Sequence, residues 1–133
     1  MKKALVLISL TMLIFSTGCS QMQSAAQVGP TVISLKELQS SVDSILAERA
    51  KVDTSQMQLQ QGENLTRSQL NFLISNLIIE SIATDEKIVV SKADTEAYLT
   101  QIYANIGGQK QLPAVLVNAS IAPENLQSVL RRD

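Results

Sequence analysis

Few side chains in this 133-residue sequence are equipped for chemistry: it has no His, no Trp and a single Cys, Cys19. Without an imidazole, His-based triads, imidazole general bases and His-rich zinc sites are excluded. One thiol can build neither a paired-Cys metal site nor a disulfide within the chain. Carboxylates, amines, hydroxyls and two tyrosines remain. Carboxylate pairs such as Asp85 with Glu86, or Asp94 with Glu96, stand where helices are expected to end or begin. They read as helix-terminal and surface charges, not as a general acid with its base. Tyr98 and Tyr103 are five positions apart and point in different directions on one helix, so packing explains them better than a recognition platform. No nucleophile and base stand in a recognisable arrangement. The inventory argues against an enzyme and calls for no metal, cofactor or nucleotide.

Cys19 is the exception, because of what precedes it. Residues 1–18 have the three parts of an export signal: Lys2 and Lys3, an apolar stretch over residues 4–15, then the small residues Ser16, Thr17 and Gly18. The apolar stretch is too short to span a bilayer as an anchor. Ser16-Thr17-Gly18-Cys19 resembles the lipobox of bacterial lipoproteins, in which cleavage before the Cys makes it the lipidated first residue. Small residues let the backbone lie extended in the peptidase, and the thiol receives the diacylglyceryl group. The family usually has Leu or another aliphatic where this chain has Ser16, and Ser16 with Gly18 also fits ordinary signal cleavage. A lone Cys at the new N-terminus nevertheless has no other evident use. The resemblance implies cleavage between Gly18 and Cys19, lipidation of Cys19, and export to the outer leaflet of the cell membrane or to an outer membrane. Ser20 stands where many enteric inner-membrane lipoproteins have Asp, which leaves outer-membrane sorting open. Two or three acyl chains, at about 0.8 kcal/mol per buried CH₂, make such an attachment stable where one is marginal.

Removing residues 1–18 leaves 115, enough for one domain that buries about two thirds of its unfolded surface. Once Lys2 and Lys3 leave with the signal, 9 basic side chains face 12 acidic ones, a balance that argues against nucleic acid as a partner. Residues 19–27 are small and polar and read as a lipidated Cys followed by a tether, with the folded domain over residues 28–133. Val28 and Val32-Ile33 flank Gly29-Pro30, as in a small hairpin or an extended turn.

The element around which the rest must pack is residues 66–85, TRSQLNFLISNLIIESIATD. At about 100° per residue, Leu70, Leu73, Ile74 and Leu77 share one side, while Phe72, Ile78, Ile79 and Ile82 carry the apolar surface round to the other. Only a strip near Asn76 and Glu80 stays polar, so the pattern predicts a buried central helix, opened by a Thr66/Gln69 capping box. Its apolar runs are too short and interrupted for a membrane span. Before it, Ser34 and Glu37 cap a helix over residues 35–51 that faces Leu35, Leu38, Val42, Ile45 and Leu46 inward, and residues 52–65 read as a frayed end and a mobile loop. After it come a short extended connector, Ile88-Val89-Val90, and a helix over residues 92–106 capped by Ser91 and Asp94, which uses Ala93, Ala97, Leu99, Ile102 and Ile106 and ends at Gly107-Gly108. Residues 109–119 follow with Leu112, Val115 and Leu116 inward and Pro113 in the first turn, then a last helix begun by Pro123 with Leu126, Val129 and Leu130 inward. The fold class is all-α: a small multi-helix domain around a central helix, with room for one short N-terminal β-hairpin.

The segments AAQVGPTVISLKEL, RSQLNFLISNLIIESIA, KIVVSKADTEAYL and LPAVLVNASIAPENLQSVLR, in that order, resemble the N-terminal domain of SurA-type periplasmic chaperones and of the related PrsA-type foldase lipoproteins. The resemblance covers residues 25–132 and implies a hairpin, a first helix, a long central helix, a connector with a third helix, and closing helices. Gly29-Pro30 stands where the family usually has Asn, Asp or Gly. Members often continue into a parvulin-type prolyl isomerase domain and a C-terminal helix. That active site relies on His, so the resemblance carries no isomerase activity to this chain. It implies instead a holdase that binds unfolded or exported polypeptides through an apolar groove; joined to the Cys19 anchor this reads as a membrane-anchored holdase, and the apolar central helix places the client surface around Phe72 and Ile79. The alternative is a structural or interaction lipoprotein that docks one partner or pairs with a second copy.

Overall fold

A computed structural model describes residues 23–132. The chain opens with an antiparallel hairpin, β1 (Ser24–Val28) and β2 (Thr31–Ser34). Four positions assigned above to a tether, residues 24–27, therefore lie in a strand. The Gly29-Pro30 turn suits this hairpin. Gly29 sits at φ +57° and the Pro30 ring holds φ near about −65°, the positive-then-negative order of a type II′ turn. A register shift between Ser24 and Ala26 leaves Ala25 as an extra residue, and the broken alternation lets Ala25 and Ala26 both pack on the core beside Ile33.

Helix α1 (Leu35–Arg49) follows without a loop, because Ser34 ends the strand and also caps the helix, its Oγ accepting from the Glu37 N–H at 3.1 Å. The core-facing line is Leu38, Ser41, Val42 and Ile45. Leu35 and Leu46, expected inside, are exposed because they lie at the two edges of that narrow face.

Helix α2 spans Gly62–Asp85, 24 residues and about 36 Å, and begins a turn earlier than the capping-box pattern suggested. Thr66 caps nothing: its Oγ1 donates back to the Gly62 carbonyl at 3.3 Å, and Gln69 is interior. The cause is Leu65, which continues the line Leu73, Gln69, Leu65 at helical spacing and is fully buried, so its burial draws the helix back over the supposed loop. The line continues to Asn76, which is buried where a polar exposed strip was expected, whereas Ile78 and Ile82 point to solvent. A helix this apolar has more than one face to bury, and the described residues cover one.

Helix α3 (Lys92–Asn105) starts with the full Ser91/Asp94 capping box. Of its expected core residues, Ala93 and Ala97 are exposed while Leu99, Ile102 and Ile106 are half-buried; Thr95 is buried in their place. A 3-10 turn then leads into α4 (Leu112–Ala119), with Pro113 in its first turn as expected, but Leu116 and Val117 are buried rather than Val115. Pro123 opens a second 3-10 turn that feeds α5 (Leu126–Arg132), where Leu130 is buried and Leu126 and Val129 half-buried. Helix α1 packs on α2, α4 and both strands, while α3 packs on α5 and α5 on α2. The main core is Ile33, Leu38, Val42, Ile45, Leu65, Leu73 and Ala122. Architecture and order match the mostly-α expectation, hairpin included.

Helices α2, α3 and α4 end in one way, with a left-handed residue after the last turn. After α2 the Lys87 N–H donates to the Thr84 carbonyl at 3.1 Å and the Ile88 N–H to the Ala83 carbonyl at 2.8 Å, a Schellman motif. The left-handed position is held by Lys87 at φ +57°, where Gly is usual. Helix α4 ends the same way at Ser120, φ +53°, and α3 at Gly107, φ +85°.

Candidate functional site

The residues that could act here are apolar, and the fold leaves a group of them uncovered. The C-terminal half of α2, the connector that follows it and α5 enclose an open groove of about 440 Å³. Half-buried Ile79 and Ala83 line it from α2, Ile88, Val89 and Val90 from the connector, and Ser128 from α5. Val89 is 87% exposed and Ile88 59%, and on the same half of α2 Ile82 is 54% exposed. Single exposed apolar side chains are ordinary, but several around one groove mark a binding surface. Glu80 and Arg131 supply its charges, and neither enters an ion pair among the described residues. A second hollow of about 340 Å³ lies between the hairpin tip (Val28, Gly29, Pro30) and Leu77, Ser81 and Thr84 of α2. Glu80 and Thr84 line both hollows, so this half of α2 is a ridge with a groove on each flank.

The two side chains singled out from sequence fall on one stripe of α2, seven residues or about 10 Å apart, but in different surroundings. Ile79 lines the groove. Phe72 is half-buried and packs against the main core. Gly18 and Cys19 lie outside the described residues. The connector as a groove wall escaped the sequence reading; its signal was three consecutive β-branched residues between the end of one helix and the cap of the next.

A buried polar chain holds the ridge in place. Gln69, 1% exposed, donates through Nε2 to the Ser120 carbonyl at 2.8 Å and accepts at Oε1 from the Ser41 hydroxyl at 3.1 Å. The Ser41 oxygen accepts in turn from Asn125 Nδ2 at 3.3 Å. Arg49 extends the chain from the end of α1, donating through Nη2 to Ser120 Oγ at 3.2 Å and through Nη1 to the Gln60 carbonyl at 2.7 Å. Burial pushes the pKa of this guanidinium below its ordinary value, and its Nε lies buried without a partner among the described residues. Of residues 52–65, read above as a frayed end and a mobile loop, 62–65 are helical and 52–61 are tied at both ends to the C-terminus of α1. None of these residues carried a functional signal in the sequence, since Gln and Ser on a helix normally face water.

Among the described residues no three His, Cys, Asp or Glu side chains gather as a metal site, and no helix is long and apolar enough to cross a membrane. The arrangement offers apolar contact and backbone hydrogen bonding. No curated protein and no solved structure matches the chain. A family model described as the SurA-like N-terminal domain matches residues 1–133, its whole length. With a hairpin, a capped first helix, a long second helix and closing helices in that order, the chain belongs to the SurA-like N-terminal domain family, which is chaperone-related.

Proposed function

We propose that this is a holdase domain, tethered outside the cell membrane through a lipid on Cys19, that binds apolar segments of unfolded or exported polypeptides without catalysis. The observation that carries the reading is the uncovered apolar surface of Ile88, Val89 and Val90 around a groove based on Ile79 and Ala83. Such a surface takes up a chain that has not yet buried its own apolar side chains and releases it when folding does so. Residues 1–18 serve as the signal and residues 19–23 as the tether into β1. The chaperone-related family supports the reading in its general form.

The test is light scattering of a chemically denatured client with and without the purified protein, with circular dichroism of the same sample. Val89→Glu touches an almost fully exposed side chain, so the fold should stand unchanged. Removing one Val contact of about 1.5 kcal/mol and placing a charge in the groove should weaken suppression about tenfold. Wild-type suppression that survives Val89→Glu and Ile79→Glu in folded proteins would sink the groove. A folded wild type that suppresses nothing would favour docking of a single folded partner. For the anchor, Cys19→Ser should move the protein from the membrane fraction to the soluble one; unchanged fractionation would refute the lipid.

A further inference from the structure

Four polar side chains are buried among the described residues: Ser41, Gln69, Asn76 and Thr95. Three of them have partners, since Ser41 and Gln69 bond each other and the Thr95 hydroxyl donates to the Ser91 carbonyl at 3.1 Å. Asn76 differs. It is 9% exposed, its side chain enters no hydrogen bond among the described residues, and it lines the groove. With Ile79, Glu80 and Ala83 it forms one stripe of α2 at helical spacing, buried at Asn76 and half-buried at Ile79 and Ala83. The amide therefore stands at the deep end of the groove, where the buried line of α2 runs out beneath it. An amide held away from bulk water with donor and acceptor both unused is costly, and a ligand that meets both recovers that cost on binding.

Resting on the holdase reading above, we infer that Asn76 recognises the main chain of a client segment bound in extended conformation. Its Nδ2 donates to the carbonyl, and its Oδ1 accepts from the N–H, of one residue of that segment. An extended residue presents both groups to the same side, the pair that two antiparallel strands exchange, and an amide side chain carries the matching donor and acceptor. A carboxylate or phosphate would engage the donor alone and leave Oδ1 unmet; a purely apolar ligand would leave both. The stripe from Asn76 to Ala83 is about 10 Å long, room for about three extended residues. Every residue except proline carries the N–H and C=O pair, so the contact reads no particular sequence. It selects a chain whose backbone is still unpaired, and a client that has folded, with those groups already bonded, no longer fits it.

Fluorescence anisotropy tests this with the purified full chain and a labelled octapeptide of alternating valine and threonine, set against the same peptide methylated on every peptide nitrogen. Wild type should prefer the unmethylated peptide. That preference should shrink about tenfold in Asn76→Leu, which keeps the volume of the side chain and cannot pair. Circular dichroism checks the fold, and Asn76→Ala carries the same comparison if Leu is not accommodated. A preference that is equal in wild type and variant overturns the main-chain contact and leaves the holdase groove standing. A folded wild type that binds neither peptide overturns both.

Discussion

Replacing Gln69 by Leu keeps the volume of a fully buried side chain and deletes both of its hydrogen bonds. In the native fold Nε2 donates to the Ser120 carbonyl at 2.8 Å and Oε1 accepts from the Ser41 hydroxyl at 3.1 Å. Each bond contributes about 1 kcal/mol net, and leaving the buried Ser41 hydroxyl and the Ser120 carbonyl unmet adds about 1–3 kcal/mol, against a gain from the more apolar Leu. The sum is a loss of about 2–4 kcal/mol out of the roughly 5–15 kcal/mol typical of a domain. Followed by circular dichroism in urea, with m of about 1–3 kcal/mol per M, the midpoint should fall by about 1 M or more. Ser41→Ala should cost less in the Gln69→Leu background than alone, because its main partner is already gone, and the coupling should reach at least about 0.5 kcal/mol. A midpoint that moves by less than about 0.3 M, or strictly additive costs, would refute the idea that the polar chain fixes α2 against α1 and the Ser120 turn.

Two further substitutions probe the same framework. Arg49→Ala removes the bonds to Gln60 and Ser120 and should cost about 1–2 kcal/mol, with faster amide hydrogen exchange concentrated in residues 50–61; uniform exchange across the domain would contradict the tie. Lys87→Gly relieves a left-handed backbone at φ +57° and should stabilise by about 0.5–1 kcal/mol, raising the melting temperature by several degrees; a lower melting temperature would contradict the strain.

The groove and the polar chain are linked. The line Leu65, Gln69, Leu73, Asn76 turns one face of α2 to the core, and that orientation is what sends Ile78 and Ile82 outward and Ile79 into the groove. A polar side chain in the interior of this domain thus sets which apolar side chains are left outside. Gln69 specifies this rotation because its amide has partners in only one of them.

Local signals in the sequence determined a good deal. Ser34 and Ser91 as caps, Gly107 as a terminator, Pro113 and Pro123 in first turns and the absence of His all act through the backbone or chemistry of a few neighbouring residues, and the element order and the exclusion of imidazole chemistry follow from them. The hairpin too rests on local geometry, since Gly29 and Pro30 supply the two φ values that its turn needs. Tertiary structure alone decided which of several apolar faces is covered. Leu35, Leu46 and Val115 match the core residues in type, and so does Ile82, yet all four are exposed, while Ser41, Gln69 and Asn76 are buried. Hydrophobicity is not directional, so periodicity shows that α2 has apolar surface to bury but not against what. That choice is made where Gln69 finds Ser41, 28 residues earlier, and Ser120, 51 residues later, across a sequence separation that no local pattern spans.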